Sequence, residues 1–224
     1  LTRPGRRVTG KPIEPIVAGR SPERAIAGVD GHLVERRVRS ESVYDGRFLK
    51  VRRDEVRLPT GKTAWREYIV HPGAVMVVPV ADDGRLIVER QHRYPLDRVL
   101  VEFPAGKLDP DETTQECAER ELREETGFLA REWAYAGRMH NACAYSTAFI
   151  EIWFARGLTA GAAQLDEGEF VECLTMDEAA LFDLAARGEL TDAKTMVGLL
   201  KLQQWRSGAW APAWQPAAGK TPPP

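Results

Sequence analysis

The stretch GKLDPDETTQECAERELREETGF, from Gly106 to Phe128, constrains this chain more than any other: it places six glutamates between Glu112 and Glu125, with two arginines among them, where every local signal is helical. Asp109, Pro110 and Asp111 form a turn. Thr113 followed three residues later by Glu116 has the spacing of a capping box, which starts a helix. Glu121, Leu122, Arg123, Glu124 and Glu125 are mostly good helix formers, and Gly127 stands where a helix stops. The pattern predicts a helix from about Thr113 to Thr126.

At about 100° per residue, Ala118 and Leu122 share a narrow apolar face, and Glu121, Glu124 and Glu125 fall together beside it. Like charges one turn apart destabilise a helix by roughly 0.2–0.5 kcal/mol, and by more where burial lowers the effective dielectric. A solvated acidic face accounts for Glu116 and Glu119. It does not account for a glycine before the helix, a glycine after it and three carboxylates crowded on the apolar seam. A hard divalent cation does, since Mg²⁺ takes oxygen ligands and is commonly shared with substrate phosphates.

The segment resembles the signature of the Nudix hydrolases: a glycine, five residues, a glutamate, seven residues, then Arg-Glu-apolar-any-Glu-Glu-any-Gly-apolar. Gly106, Glu112, Arg120, Glu121, Leu122, Glu124, Glu125, Gly127 and Phe128 match it without gap or substitution. Such a resemblance implies an α/β/α sandwich with a mixed sheet, and Mg²⁺-dependent hydrolysis of a nucleoside diphosphate linked to another group, with Mn²⁺ as an alternative ion. It also implies Glu121 and Glu125 as metal ligands with Glu124 beside them, Glu121 being central to catalysis as well. Arg120 and Glu112 are implied as a brace between loop and helix. Pro104-Ala105-Gly106 resembles the ADP-ribose pyrophosphatase branch, in which the carbonyl at Ala105 also meets a metal.

With 224 residues and 43% hydrophobic content, the chain can bury one sizeable core with appendages. A formal charge of −2 marks no basic field of the kind nucleic-acid binders carry. Three cysteines, Cys117, Cys143 and Cys173, lack metal spacing and favour a reduced setting. No apolar run approaches a bilayer span, so the expectation is a cytoplasmic protein with no membrane partner.

Residues 1–36 are rich in Arg, Pro and Gly and read as a flexible arm. From 37 to 72, short alternating segments split at Asp45-Gly46 and at Pro59-Thr60-Gly61 predict a small N-terminal antiparallel sheet. From 73 to 207, the apolar strands around Asp82-Asp83-Gly84, VLVEFPAG, WAYAGRM and TAFIEIWFAR alternate with helical spacing in MDEAALFDLAARGEL and DAKTMVGLLKLQQW. This is an α/β catalytic domain with a mixed sheet. Residues 208–224 read as a loosely held tail, with Trp210 and Trp214 able to pack back.

The similarity to the ADP-ribose pyrophosphatase branch runs from about Val43 to Trp205. It implies a homodimer with swapped N-terminal strands and a nucleoside diphosphate sugar as substrate. The acidic loop Asp166-Glu167-Gly168-Glu169 lies where related pyrophosphatases carry a catalytic glutamate, which makes Glu167 the general base and Glu169 a further metal ligand, or the reverse. Arg93 matches a family arginine near the phosphates, and its guanidinium suits bidentate contacts. Glu102 is implied at the pocket wall, with Arg66, Glu67 and Phe48 as contacts to the nucleobase or terminal ribose. Where many relatives carry Ser-Pro-Gly, this chain reads His140-Asn141-Ala142-Cys143-Ala144-Tyr145-Ser146-Thr147, which leaves GDP- or UDP-linked hexoses open as substrates. From another class, the alternative is a regulatory protein that binds ADP-ribose without cutting it.

Overall fold

The structure, a computed structural model, describes residues 31–165 and 168–218. Most of the expected N-terminal arm and the whole of Glu167 lie outside the described residues. The chain divides into two compact units, one holding the described residues up to Glu41 with Arg53–Arg66, the other holding Ser42–Arg52 with everything from Glu67 onward.

The predicted N-terminal strands are β1 (Arg36–Asp45), β2 (Lys50–Arg57) and β3 (Thr63–Val70), a three-stranded sheet in that order. Pro59, Thr60 and Gly61 make the turn into β3, where the Gly61 amide donates to the Leu58 carbonyl at 2.9 Å and Gly61 takes a φ of 83° that a side chain would resist. In the first unit, Arg39 and Arg53 both lie over the Trp65 ring, at 4.8 and 5.3 Å, while pairing with Glu55 and Glu41 respectively.

The larger unit is built on an eight-stranded sheet. Its order is β10 (Val171–Met176), β5 (Leu86–Arg93), β4 (Ala74–Val80), β9 (Ile150–Ala160), β8 (Phe128–Met139) and β11 (Gln215–Pro216). β6 (Arg98–Glu102) pairs with β5, and β7 (Ala105–Lys107) pairs with β4. The β4–β9 pair is parallel and the β5, β7 and β8 pairings are antiparallel, so the sheet is mixed as the sequence implied.

The unbroken apolar run of β4 has a direct cause. Val75 and Val77 pack with Ala118 and Leu122 of α1 (Thr114–Thr126) on one face of the sheet. Met76 and Val78 pack on the other face with Leu181 of α2 (Glu178–Ala186) and Leu199 and Leu202 of α3 (Ala193–Arg206). A strand covered on both sides needs no polar alternation. The result is an α/β/α sandwich with α1 on one face and α2 with α3 on the other among the described helices.

Beyond α3, Trp210 and Trp214 join Trp205 and Phe154, with Trp205 and Trp214 centroids 5.3 Å apart, and Gln215–Pro216 add to the edge of β8. Among the described residues, no helix is long and apolar enough to cross a membrane.

Candidate active site

α1 is set by its ends. The Thr113 hydroxyl accepts from the Glu116 amide at 3.3 Å and the Glu116 carboxylate accepts from the Thr113 amide at 2.9 Å, which completes the capping box. Gly127 closes the helix at φ 75°, its amide donating to the Arg123 carbonyl. Because Ala118 and Leu122 are fully buried against β4, the neighbouring face with Glu121 and Glu125 is pressed toward β7.

The register of β7 on β4, with Gly106 opposite Val75, brings the loop backbone against that face. A Cβ on Gly106 would lie 1.9 Å from Glu121 Oε1, so only glycine admits the carboxylate here. Glu125 Oε2 accepts the Ala105 amide at 2.9 Å. Arg120 ties the assembly together: it meets both oxygens of Glu112 at 2.9 Å, the Lys107 carbonyl at 3.0 Å, Glu121 at 2.8 Å and Glu124 at 3.2 Å. The brace between Arg120 and Glu112 is present as the resemblance implied.

A cavity of about 360 Å³ opens on this face, lined by Glu121, Glu124, Glu125, Glu169, Ala105 and Arg93 among others. It shares Phe48, His71, Arg93 and the Ala105–Lys107 strand with a neighbouring cavity of about 780 Å³, walled further by Glu102, Asn141, Tyr145, Asp192 and Lys194. β10 accounts for Glu169: its pairing with β5, Val171 opposite Gln91, brings the preceding residues beside the strand that ends in Arg93.

The charge balance is unusual for a buried place. Glu121 is 9% and Glu125 6% exposed. Burial pushes Glu121 up to about 7, against the pull of Arg120, with Glu124 and Glu169 adding repulsion. Burial raises Glu125 further still, and the carboxyls of Glu89 and Glu121 add to it. Glu89, 3% exposed on β5 and in hydrogen-bond contact with Glu125, is raised in the same direction by burial, and its Oε1 has no hydrogen-bond partner. An orphaned buried carboxylate oxygen beneath raised carboxyls is a site short of positive charge, and oxygen donors of this kind suit a hard divalent cation. Among the described residues, no three ligating groups yet converge on one cation position: Arg120 holds Glu121 and Glu124, and the Ala105 amide holds Glu125.

Glu102, 2% exposed, stays below the usual carboxylate range although burial opposes its charge, because Arg93 and Lys194 both bond to it. Arg93 Nε and Nη2 reach its two oxygens at 2.7 Å each. Phe48 stands at the mouth with Lys107 Nζ 4.6 Å from its ring centre. Glu67 is exposed on β3 and lines neither cavity, and Arg66, in the other unit, pairs with Glu35. His71, Glu89, Asp192 and Lys194 also belong to this region and lie outside the signature. His71 accepts the Gly73 amide at 3.0 Å on Nδ1, and burial with Lys107 nearby lowers its pKa. Glu89 directly follows the apolar run Leu86-Ile87-Val88 of β5 and is buried with it, and the residue sequence alone does not set it apart from the polar residues after it.

A family profile described as NUDIX domain matches residues 70–197, and one described as nucleoside diphosphate sugar hydrolase N-terminal domain matches residues 35–69. A relative named ADP-ribose pyrophosphatase, from Bacillus subtilis, is 35% identical over 173 residues, 76% of this chain and 94% of the relative. Another, named methanol dehydrogenase activator, from Bacillus methanolicus, is 36% identical over 173 residues, covering 75% and 92%. A crystal structure of an ADP compounds hydrolase aligns with a TM-score of 0.71 at 26% identity over 78% of this chain and 95% of its own.

Proposed function

The chain belongs to the Nudix family, and from that premise we propose that it hydrolyses the diphosphate of ADP-ribose or a closely related nucleoside diphosphate sugar to a nucleoside monophosphate and a sugar phosphate. One observation carries this reading: two buried carboxylates short of positive charge, Glu121 and Glu125, share a cavity with a guanidinium, Arg93.

Glu121 and Glu125 would hold the divalent cation, Mg²⁺ or Mn²⁺, together with the Ala105 carbonyl, Glu124 and Glu169. When bound, the cation offsets charge on the diphosphate and makes water a better nucleophile at neutral pH. Arg93 receives a phosphate oxygen, and its two bonds to Glu102 fix the plane of the guanidinium before substrate arrives. A carboxylate of the 166–169 loop, Glu167 or Glu169, takes the proton from water as it attacks phosphorus. Phe48 offers its exposed ring to the nucleobase.

The same reading gives a homodimer joined through the N-terminal strands. Its support is β1, exposed at all ten positions although it carries Val38, Val43 and Tyr44. The free thiols of Cys117, Cys143 and Cys173 support a reducing, cytoplasmic setting. A second reading, regulation of a partner without hydrolysis, draws on the relative named as an activator.

The test is turnover of ADP-ribose, ADP-glucose, GDP-mannose and UDP-glucose with Mg²⁺, with products separated by chromatography. The expected result is the highest kcat/KM on ADP-ribose, with AMP and ribose 5-phosphate formed. Binding of ADP-ribose with no hydrolysis across the panel would favour the regulatory reading instead.

A further inference from the structure

Glu102 accepts from two cations, and the second comes from far along the chain. Its Oε1 takes Arg93 Nε at 2.7 Å, and its Oε2 takes both Arg93 Nη2 at 2.7 Å and the ammonium of Lys194. Lys194 is 8% exposed and also donates to Asp192 Oδ2 at 3.0 Å. Arg93 Nη1 makes none of these bonds, and Arg93 lines both cavities.

The position of Lys194 does not depend on Lys194 itself. Asp192 is the N-cap of α3 and accepts from the Thr195 amide at 2.9 Å and the Thr195 hydroxyl at 2.6 Å. That hydroxyl in turn accepts the Phe103 amide at 2.9 Å, next to Glu102. One turn further, Gly198 lies so close to Phe103 and Met76 that a Cβ would meet them at 3.0 and 2.9 Å. The first turn of α3 is therefore bolted to the strand end that carries Glu102.

Stability is a poor explanation for such an arrangement. Buried ion clusters recover little of their desolvation cost, and apolar replacements of equal volume are often as stable or more so. Position is a better one. Asp192, Lys194, Glu102 and Arg93 form a neutral quartet; without Lys194 it would carry a net negative charge, on a wall already crowded by Glu89, Glu125 and Glu169 and facing an anionic substrate.

We propose that Lys194, clamped by Asp192, is a positioning residue: it fixes Glu102 so that Arg93 presents Nη1 to a phosphate oxygen of the substrate. This rests on the diphosphate reading of the cavity. Lys194 does not touch the reacting atoms, so its loss acts on substrate capture and leaves the chemical step largely intact.

A double-mutant cycle on ADP-ribose hydrolysis separates this from a structural role. Lys194→Met raises KM about tenfold with kcat within about threefold, and adds less than about twofold to KM when Arg93→Met is already present. If the doubly substituted protein turns over too slowly for KM, the Kd for ADP-ribose in EDTA, by calorimetry, replaces it with the same expected ratios. Asp192→Asn keeps the helix cap, removes the clamping charge and raises KM in the same direction, which covers the case of a poorly folding Lys194→Met. An unchanged KM, or losses that multiply in the double variant, overturns the inference while wild-type turnover leaves the diphosphate reading standing. Absence of wild-type turnover on every nucleotide sugar overturns that reading first.

Discussion

Gly106 has no side chain because Glu121 takes the space. The atom that a Cβ would strike is the far end of a flexible carboxylate, so alanine there moves Glu121 and leaves the fold in place. Gly106→Ala is expected to lower kcat/KM by about 100-fold, as an ångström-scale misplacement of a site residue does, with Tm changed by only a few degrees. Unchanged kcat/KM at unchanged Tm would show that Glu121 does not hold the reaction. Burial also makes Glu121 a pH probe. Its carboxyl is raised from an ordinary 4.5 to about 7, so the folded state favours the neutral acid. The stability it contributes is fully present below 4.5 and is lost as pH rises through about 7; Glu125 is shifted in the same direction. Cation-free protein should lose Tm between pH 5 and 8, and saturating Mg²⁺ should raise Tm more at pH 8 than at pH 5.5, as read by scanning calorimetry. Equal Mg²⁺ shifts at both pH values would mean that these carboxyls do not meet the ion.

At the scale of elements, α1 rests on local signals, and Thr113→Ala should cost about 1 kcal/mol by removing its capping box, measured by denaturant unfolding. Those local signals are why α1 was legible: the cap, the glycine stop and the apolar pair Ala118 and Leu122 all lie within one segment. β4 was legible for a similar reason, since a run of apolar residues between turns is what burial on both faces requires. β10 was not read. VECLTM alternates weakly, and its edge position leaves it half exposed, so no face stands out in the sequence. The pairs that organise the cavity were hidden for a different reason. Lys194 meets Glu102 across 92 positions, and Glu89 on β5 reaches Glu125 on α1; side chains brought together by the fold leave no spacing to read. The signature and its Arg120–Glu112 brace were legible in sequence; Glu89, Asp192 and Lys194 were not.

At the scale of the molecule, the two sequence regions match the two families in order: residues 35–69 the N-terminal domain of nucleoside diphosphate sugar hydrolases, residues 70–197 the Nudix domain. The exposed β1 leads to a prediction about assembly: light scattering after size exclusion should give twice the mass of the chain, and charged residues in place of Val38 and Val43 should halve it. A single-chain mass for the wild type would remove the swapped-strand dimer. The central claim is that the α1 carboxylates hold the cation that makes diphosphate hydrolysis possible. The most direct measurement is AMP release from ADP-ribose by wild type and Glu125→Gln, each with Mg²⁺ and with EDTA. Wild type should turn over only with Mg²⁺, and Glu125→Gln should lose at least about 100-fold in kcat while keeping its fold. Equal rates for the two proteins, or undiminished turnover in EDTA, would contradict the account.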